Sequence, residues 1–265
     1  MSLLYAPATS DSELLARLHV HAVLPAFESL LQCSQEARAI LKDRQFSLAM
    51  RAGNLVSNLF FNSGECCHQR VTEESPSVVL HFLSYRQLNS QFTGRGVSLP
   101  LPLRGAWRIG DIRTFMALSD CLKTTLLPDR KVLAHADSAF VACHLQLSFS
   151  VALAAATILL EYEPFSQRLF AEQGDWMVSL RVDGSRIAGW IRSEAGQLSF
   201  GRGLPQAQAD AELVFQDSII ALQALGGELD NFAGVNGQAI RVGGLAPLAE
   251  KLGLVLDRVP AYLDA

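Results

Sequence analysis

Apolar and polar residues along the chain follow two periods, and the switches between them predict the elements. Across residues 12–42 apolar positions recur at helical spacing (Leu15, Leu18, Val23, Phe27, Leu31), with Asp11 or Ser12 placed to cap the first turn. Pro25 lies inside this run and is expected to kink or divide the helix. Shorter strand-like runs follow at 46–50, 55–61 and 66–71, separated by Gly53-Asn54 and Ser63-Gly64, residues suited to tight hairpin turns. Residues 78–82 read as a fourth strand, and Ser84 is placed to cap a short helix that Gly94 can end. The prolines of "SLPLPLRGAWRIG" keep that stretch extended and confine its first half to a sheet edge or a loop. Asp111 is placed to cap a last helix bearing Ile112, Phe115, Met116, Leu118 and Leu122, and "LPDRKV" reads as a link.

The same order of periods then returns. An apolar helix runs to about Glu172, and strand-like runs follow at 177–182, 186–193, 197–201 and 212–215. Asp217 or Ser218 precedes the helix "IIALQAL", Gly226-Gly227 stops it, and "GQAIRVGG" reads as a strand. A final helix carries Leu245, Leu248, Leu252 and Val255 on one stripe. Ser47-Leu48, Gly64 and Arg70 match Ser179-Leu180, Gly196 and Arg202 at an offset of 132 residues. Ser84 and Leu88 match Ser218 and Leu222 at 134, and Trp107-Arg108-Ile109-Gly110 matches Ile240-Arg241-Val242-Gly243 at 133. A period of this size is that of a whole domain. The expected architecture is therefore α+β: two tandem domains, 1–130 and 131–265, each a five-stranded sheet covered by helices.

Composition sharpens this picture. The chain is 49% hydrophobic and 18% charged, with mean hydropathy +0.21. A partner over much of the surface, an apolar cavity, or a segment meeting a membrane would each account for that. Residues 138–160 carry no formal charge and are long enough to cross a bilayer. His144, Gln146, Ser148 and Ser150 interrupt them, and Glu161 and Glu163 follow in place of a basic cluster, so the segment reads as a buried helix. Net charge is −4 and the 22 basic residues are scattered, which argues against nucleic acid. The five cysteines form no CxxC pair and read as reduced, space-filling residues, which suits the cytoplasm. The N-terminus shows no basic region followed by an apolar one, so no secretory signal is read there.

No nucleophile elbow, phosphate loop or HExxH motif is present, and His19 and His21 are spaced wrongly for metal binding from one helix face. No catalytic residue, cofactor or metal is expected, and the chain reads as a non-enzyme. Arg108 and Arg241 read as equivalent positions, either exposed strand arginines or binders of an anionic head group.

The order strand, Asp217-Ser218 cap, helix, Gly227, loop, then Gly237, Ile240, Val242 and Gly243 before a closing helix resembles the sterol carrier protein 2 family of lipid-transfer domains. The resemblance covers residues 176–259 well and 46–127 more loosely, since "RGVSLPLPLR" replaces the family's polar loop. It implies an apolar tunnel between sheet and helices that holds an acyl chain or sterol. Its walls would be Ile240, Val242, Leu245, Leu248 and Leu252 in the second copy and Trp107, Ile109, Ile112, Phe115 and Leu122 in the first. An apolar stripe at this spacing is more often solid core than cavity wall. The expected function is non-enzymatic binding or transfer of a lipid or other hydrophobic small molecule, such as a fatty acid, acyl-CoA, sterol or quinone, with the second copy as the expected binder. Transient membrane contact and a protein partner stay open. The alternative is a scaffold or accessory module with filled cavities that acts through protein–protein interaction.

Overall fold

The computed structural model describes residues 12–71, 75–94, 99–229 and 239–263. Two compact units are present, residues 11–147 and 148–265. The change from one to the other falls inside a single long helix.

The first unit opens with α1 (Ser12–Leu18), a π-helical turn (His19–Val23), α2 (Ala26–Cys33) and α3 (Gln35–Leu41). Pro25 occupies the N-cap position of α2 and divides the expected long helix there. Ser34 ends α2 and starts α3, its hydroxyl accepting from the Ala37 N–H at 3.1 Å. Strands β1 (Gln45–Ala52), β2 (Leu55–Asn62), β3 (Glu65–Gln69) and β4 (Val78–Phe82) follow. Then come α4 (Tyr85–Thr93), β5 (Leu101–Arg104), α5 (Ile109–Leu126) and α6 (Arg130–His135), the last in the segment expected to be a link. The sheet order is β3-β2-β1-β4-β5. β1 runs antiparallel to β2 and parallel to β4. Phe27 of α2, Phe46 of β1, Phe61 of β2 and Phe115 of α5 fill the core ring against ring, with centroids 4.6–6.4 Å apart.

Helix α7 (Ser138–Tyr162) contains the uncharged segment, and 83% of its most apolar stretch is buried in protein, as expected of a core helix. After it come α8 (Pro164–Phe170), β6 (Trp176–Val182), β7 (Ala188–Glu194), β8 (Gln197–Arg202) and β9 (Ala211–Phe215). The unit closes with α9 (Ser218–Leu225), β10 (Ile240–Gly244), α10 (Ala246–Leu256) and α11 (Arg258–Leu263). Gly237 lies outside the described residues. The sheet order is β10-β9-β6-β7-β8. Read from its other edge this is the order of the first sheet, and every strand pair has the same sense. Local chemistry is repeated too. Ser63-Gly64 and Ala195-Gly196 each hold positive φ at both residues, the turn that matches the twist of a tight hairpin. Ser84 and Asp217 cap α4 and α9 through their side chains.

The expected equivalence of Gly110 with Gly243 does not hold, because Gly110 lies in α5 and Gly243 in β10. Asp111 likewise sits inside the first turn of α5, and Arg108 holds the cap position. The matching glycines are Gly105 and Gly244, at φ 74° and 71°. Each lies against the residue just before its neighbouring strand: an added Cβ would fall 2.3 Å from the Ser77 carbonyl oxygen and 2.2 Å from that of Asp210. Only glycine satisfies both constraints. Gly105→Ala and Gly244→Ala should each cost at least about 1–3 kcal/mol, measurable by urea unfolding.

The second unit also contains a nearly sealed ion pair. Glu163, at the residue before α8, accepts from Ser166 Oγ at 2.5 Å, Arg258 Nε at 2.7 Å and the Tyr262 hydroxyl at 2.7 Å. Burial pushes the Glu163 carboxyl up, but the hydrogen bonds from Arg258, Ser166 and Tyr262 outweigh it and hold the group below the usual carboxylate range. Burial and the neighbouring carboxylate push Tyr262 up to about 12. Glu163→Ala strands a half-buried arginine and should cost about 3 kcal/mol by denaturant titration. Because the folded Glu163 is depressed, its contribution is present above the unfolded carboxylate range and is lost as pH falls through the folded value.

Candidate ligand site

An open cleft of about 560 Å³ lies on the sheet of the first unit. Strand register builds it. Phe46 pairs with Phe61 on the covered face of the sheet, while Ser47, Phe60 and Cys67 pair across the strands on the opposite face, where the Phe60 ring is half-buried. Phe46 and Phe61 stack with centroids 4.6 Å apart. Phe61 backs onto Phe115, and with Phe46 it is buried, so this ring pair belongs to the core behind the cleft. Gln45, Asn62 and Gln69 supply amide groups to the lining. Ser47 and Ser77 bond to one another: each hydroxyl accepts from the other's N–H, at 2.9 and 3.0 Å, and the Ser77 hydroxyl donates to the Ser47 carbonyl at 2.7 Å. Those serines are satisfied and pin β1 to the start of β4. Arg108 adds a cation to the lining, ion-paired at 2.6 Å with Asp111. One half-buried aromatic ring, amides and one cation suit an amphiphile whose apolar part lies on Phe60.

The residues expected from the sequence fall in three places. Phe115 and Leu122 of α5 are buried, and Ile112 is half-buried. Trp107 and Ile109 are exposed, on the turn and first residue leading into α5. In the second unit Ile240, Leu248 and Leu252 are buried, Val242 is half-buried and Leu245 is exposed. Helix α10 packs on β6, β9 and β10, which brings Leu248 and Leu252 to the sheet. Arg241 pairs with Asp183 across the sheet. Phe60, the ring that faces the cleft, has no expected role in the sequence reading, and Phe46 and Phe61 lie behind it in the core. The signal was the adjacent pair Phe60-Phe61, which puts an aromatic ring on each face of β2.

The π-helical turn and β3 of the first unit carry His19, His21 and His68, and His144 is buried on α7. His19 Nδ1 lies 3.1 Å from Asn89 Oδ1 and its ring stacks on Phe92 at 4.6 Å. The Ser57 hydroxyl donates to the Val20 carbonyl at 3.0 Å and accepts from His68 Nε2 at 2.9 Å. His21 packs edge-on to His68 at 5.9 Å, and its Nδ1 is buried without a hydrogen-bond partner. Burial lowers His19 and His68 to about 4 and His21 to about 3. The charges of Arg70, His68 and Arg17 lower His21 further, and Arg70 also lowers His68. Among the described residues no group of three or more His, Cys, Asp or Glu side chains is arranged to hold a metal ion.

Two of the five cysteines are joined, which corrects the expectation that all are reduced. Cys33 of α2 and Cys143 of α7 form a disulfide with Cα atoms 5.3 Å apart, and Cys66, Cys67 and Cys121 keep their thiols.

No family model matches the sequence. No curated protein matches it either. Among solved structures the chain is similar to a UbiJ-SCP2 ubiquinone synthesis protein, at 14% identity and TM-score 0.34, over 43% of this chain and 91% of that one. It is also similar to a conserved hypothetical protein of Thermus thermophilus, suggested to be a sterol carrier protein, at 20% identity and TM-score 0.31. That match covers 41% of this chain and 85% of the other. A double mutant of the sec-alkyl sulfatase PisA1 matches at 15% identity and TM-score 0.27, over 56% of this chain and 28% of the sulfatase. The first two carry the names of the family that the Gly227-to-Gly243 spacing resembles.

Proposed function

We infer that the chain is a non-enzymatic binder of an apolar or amphiphilic small molecule. Fatty acids, acyl-CoA, sterols and quinones are the candidate classes. The observation that carries this reading is the open cleft of about 560 Å³ with the half-buried Phe60 ring in its lining. Its volume is within the range of small-molecule sites, and laying an acyl chain on the Phe60 ring removes apolar surface from water at about 25 cal/mol per Å². Binding on this reading belongs to the first unit, whereas the sequence pattern favoured the second. The two units, with one strand order between them, are read as copies of a single ancestral domain. The cytoplasmic location expected for the chain rested on reduced cysteines, and the Cys33–Cys143 bond removes that support.

Titration with a fluorescent fatty acid tests the reading. The parent protein should take up the probe saturably. Phe60→Asp places a carboxylate in the cleft from a half-buried position and should weaken uptake about tenfold or more while the fold persists. Equal uptake by both proteins would remove the cleft as the site. Absence of uptake by either would favour the scaffold reading, which the closely packed rings of Phe27, Phe46, Phe61 and Phe115 support.

A further inference from the structure

From Leu99 the chain passes through edge strand β5 and the Gly105 turn into α5. Leu99, Leu101, Leu103, Trp107 and Ile109 are between 47% and 80% exposed. So many large apolar side chains facing water within one short segment mark an interaction surface. Its charge is one-sided. No acidic residue lies between positions 99 and 110, and Arg104 and Arg108 stand among the apolar groups. The nearest acid, Asp111, is held by Arg108 and Arg44 and is largely covered.

A second strand is a poor occupant for this edge. Pro100 and Pro102 have no N–H to donate, and a register shift between Val79 and Leu80 breaks the ladder behind them. The matching strand of the second unit is built differently: Ile240 of β10 is buried and Arg241 is paired with Asp183. The apolar, basic surface therefore belongs to the first unit's version of this strand. We propose that residues 99–109 dock the protein on a membrane surface that carries anionic headgroups. Trp107, Leu103 and Ile109 enter the interfacial layer, where an indole ring is favoured, and Arg104 meets the lipid phosphates. This docking holds whether or not the cleft takes a ligand, and vesicle binding reads it separately from fatty-acid uptake.

Co-sedimentation of the full chain tests it, using vesicles of phosphatidylcholine alone and of phosphatidylcholine mixed with phosphatidylglycerol. The protein should sediment with the mixed vesicles and be released by salt. Arg104→Ser should weaken binding about fivefold, the share of one cation near an anionic surface. Trp107→Ser and Leu103→Ser should each weaken it by about tenfold, with circular dichroism unchanged because both side chains are exposed. No sedimentation with the mixed vesicles, equal sedimentation with both kinds, or binding that ignores Trp107→Ser and Leu103→Ser would overturn the proposal. So would a solution dimer that Trp107→Ser dissociates, since the surface would then belong to a second copy of the chain.

Discussion

Lowering the pH from 7 to 5 should remove about 5 kcal/mol of stability from the first unit, enough to bring a domain of ordinary stability close to unfolding. The sign follows from His19, His21 and His68, whose folded values lie below the ordinary 6.5 at about 4, 3 and 4. Above pH 6.5 the imidazoles are neutral in both states and the stability is intact. As pH falls below that value the unfolded chain takes up protons that the folded unit refuses, and the loss grows until the folded values are reached. Each pH unit in this window costs about 1.4 kcal/mol per histidine. Ring stacking on Phe92, the bond to Ser57 and the arginines Arg17 and Arg70 all persist in the folded state, so the neutral forms have no easy route to protonation. Urea unfolding at several pH values followed by circular dichroism reads this directly. His21→Leu should flatten the dependence, because one of the histidines that burial depresses is gone. Stability independent of pH between 7 and 5 would contradict the account.

Reduction of the Cys33–Cys143 bond should cost the first unit about 4–5 kcal/mol, because the two residues are 110 apart in sequence and the bond restricts the unfolded chain over that whole loop. Cys33→Ser should reproduce the loss and abolish the effect of reductant. Burial pushes the Cys121 thiol up, so it is a poor competitor for exchange with the bond. Alkylation of the unfolded, unreduced protein should label three thiols, those of Cys66, Cys67 and Cys121. Labelling of all five cysteines would contradict the pairing.

Features fixed by local backbone demands were readable from the residues alone. Ser63-Gly64 forms the predicted hairpin turn because positive φ is a requirement of the two residues themselves. Ser84 and Asp217 cap their helices because the acceptor and the amides it serves are neighbours in sequence. The stripe of Leu248 and Leu252 is buried as its spacing predicts, yet spacing is the same for a packed core and a cavity wall. Features set by distant contacts escaped. Gly105 matches Gly244 because each backs onto a carbonyl at the head of another strand, and no run of identical residues marks that contact. The partner of Cys33 lies 110 residues away and no spacing rule points to it. The cleft escaped because Phe60-Phe61 reads as one strand with two apolar faces, and only the assembled sheet shows which face stays open.

Native mass spectrometry of the intact, freshly purified protein tests the central claim most directly. The binding account predicts a bound apolar molecule of a few hundred daltons that organic solvent releases, or saturable loading when a fatty acid is added, with loading lowered in Phe60→Asp. A spectrum of bare protein that takes up no fatty acid at any concentration would contradict it.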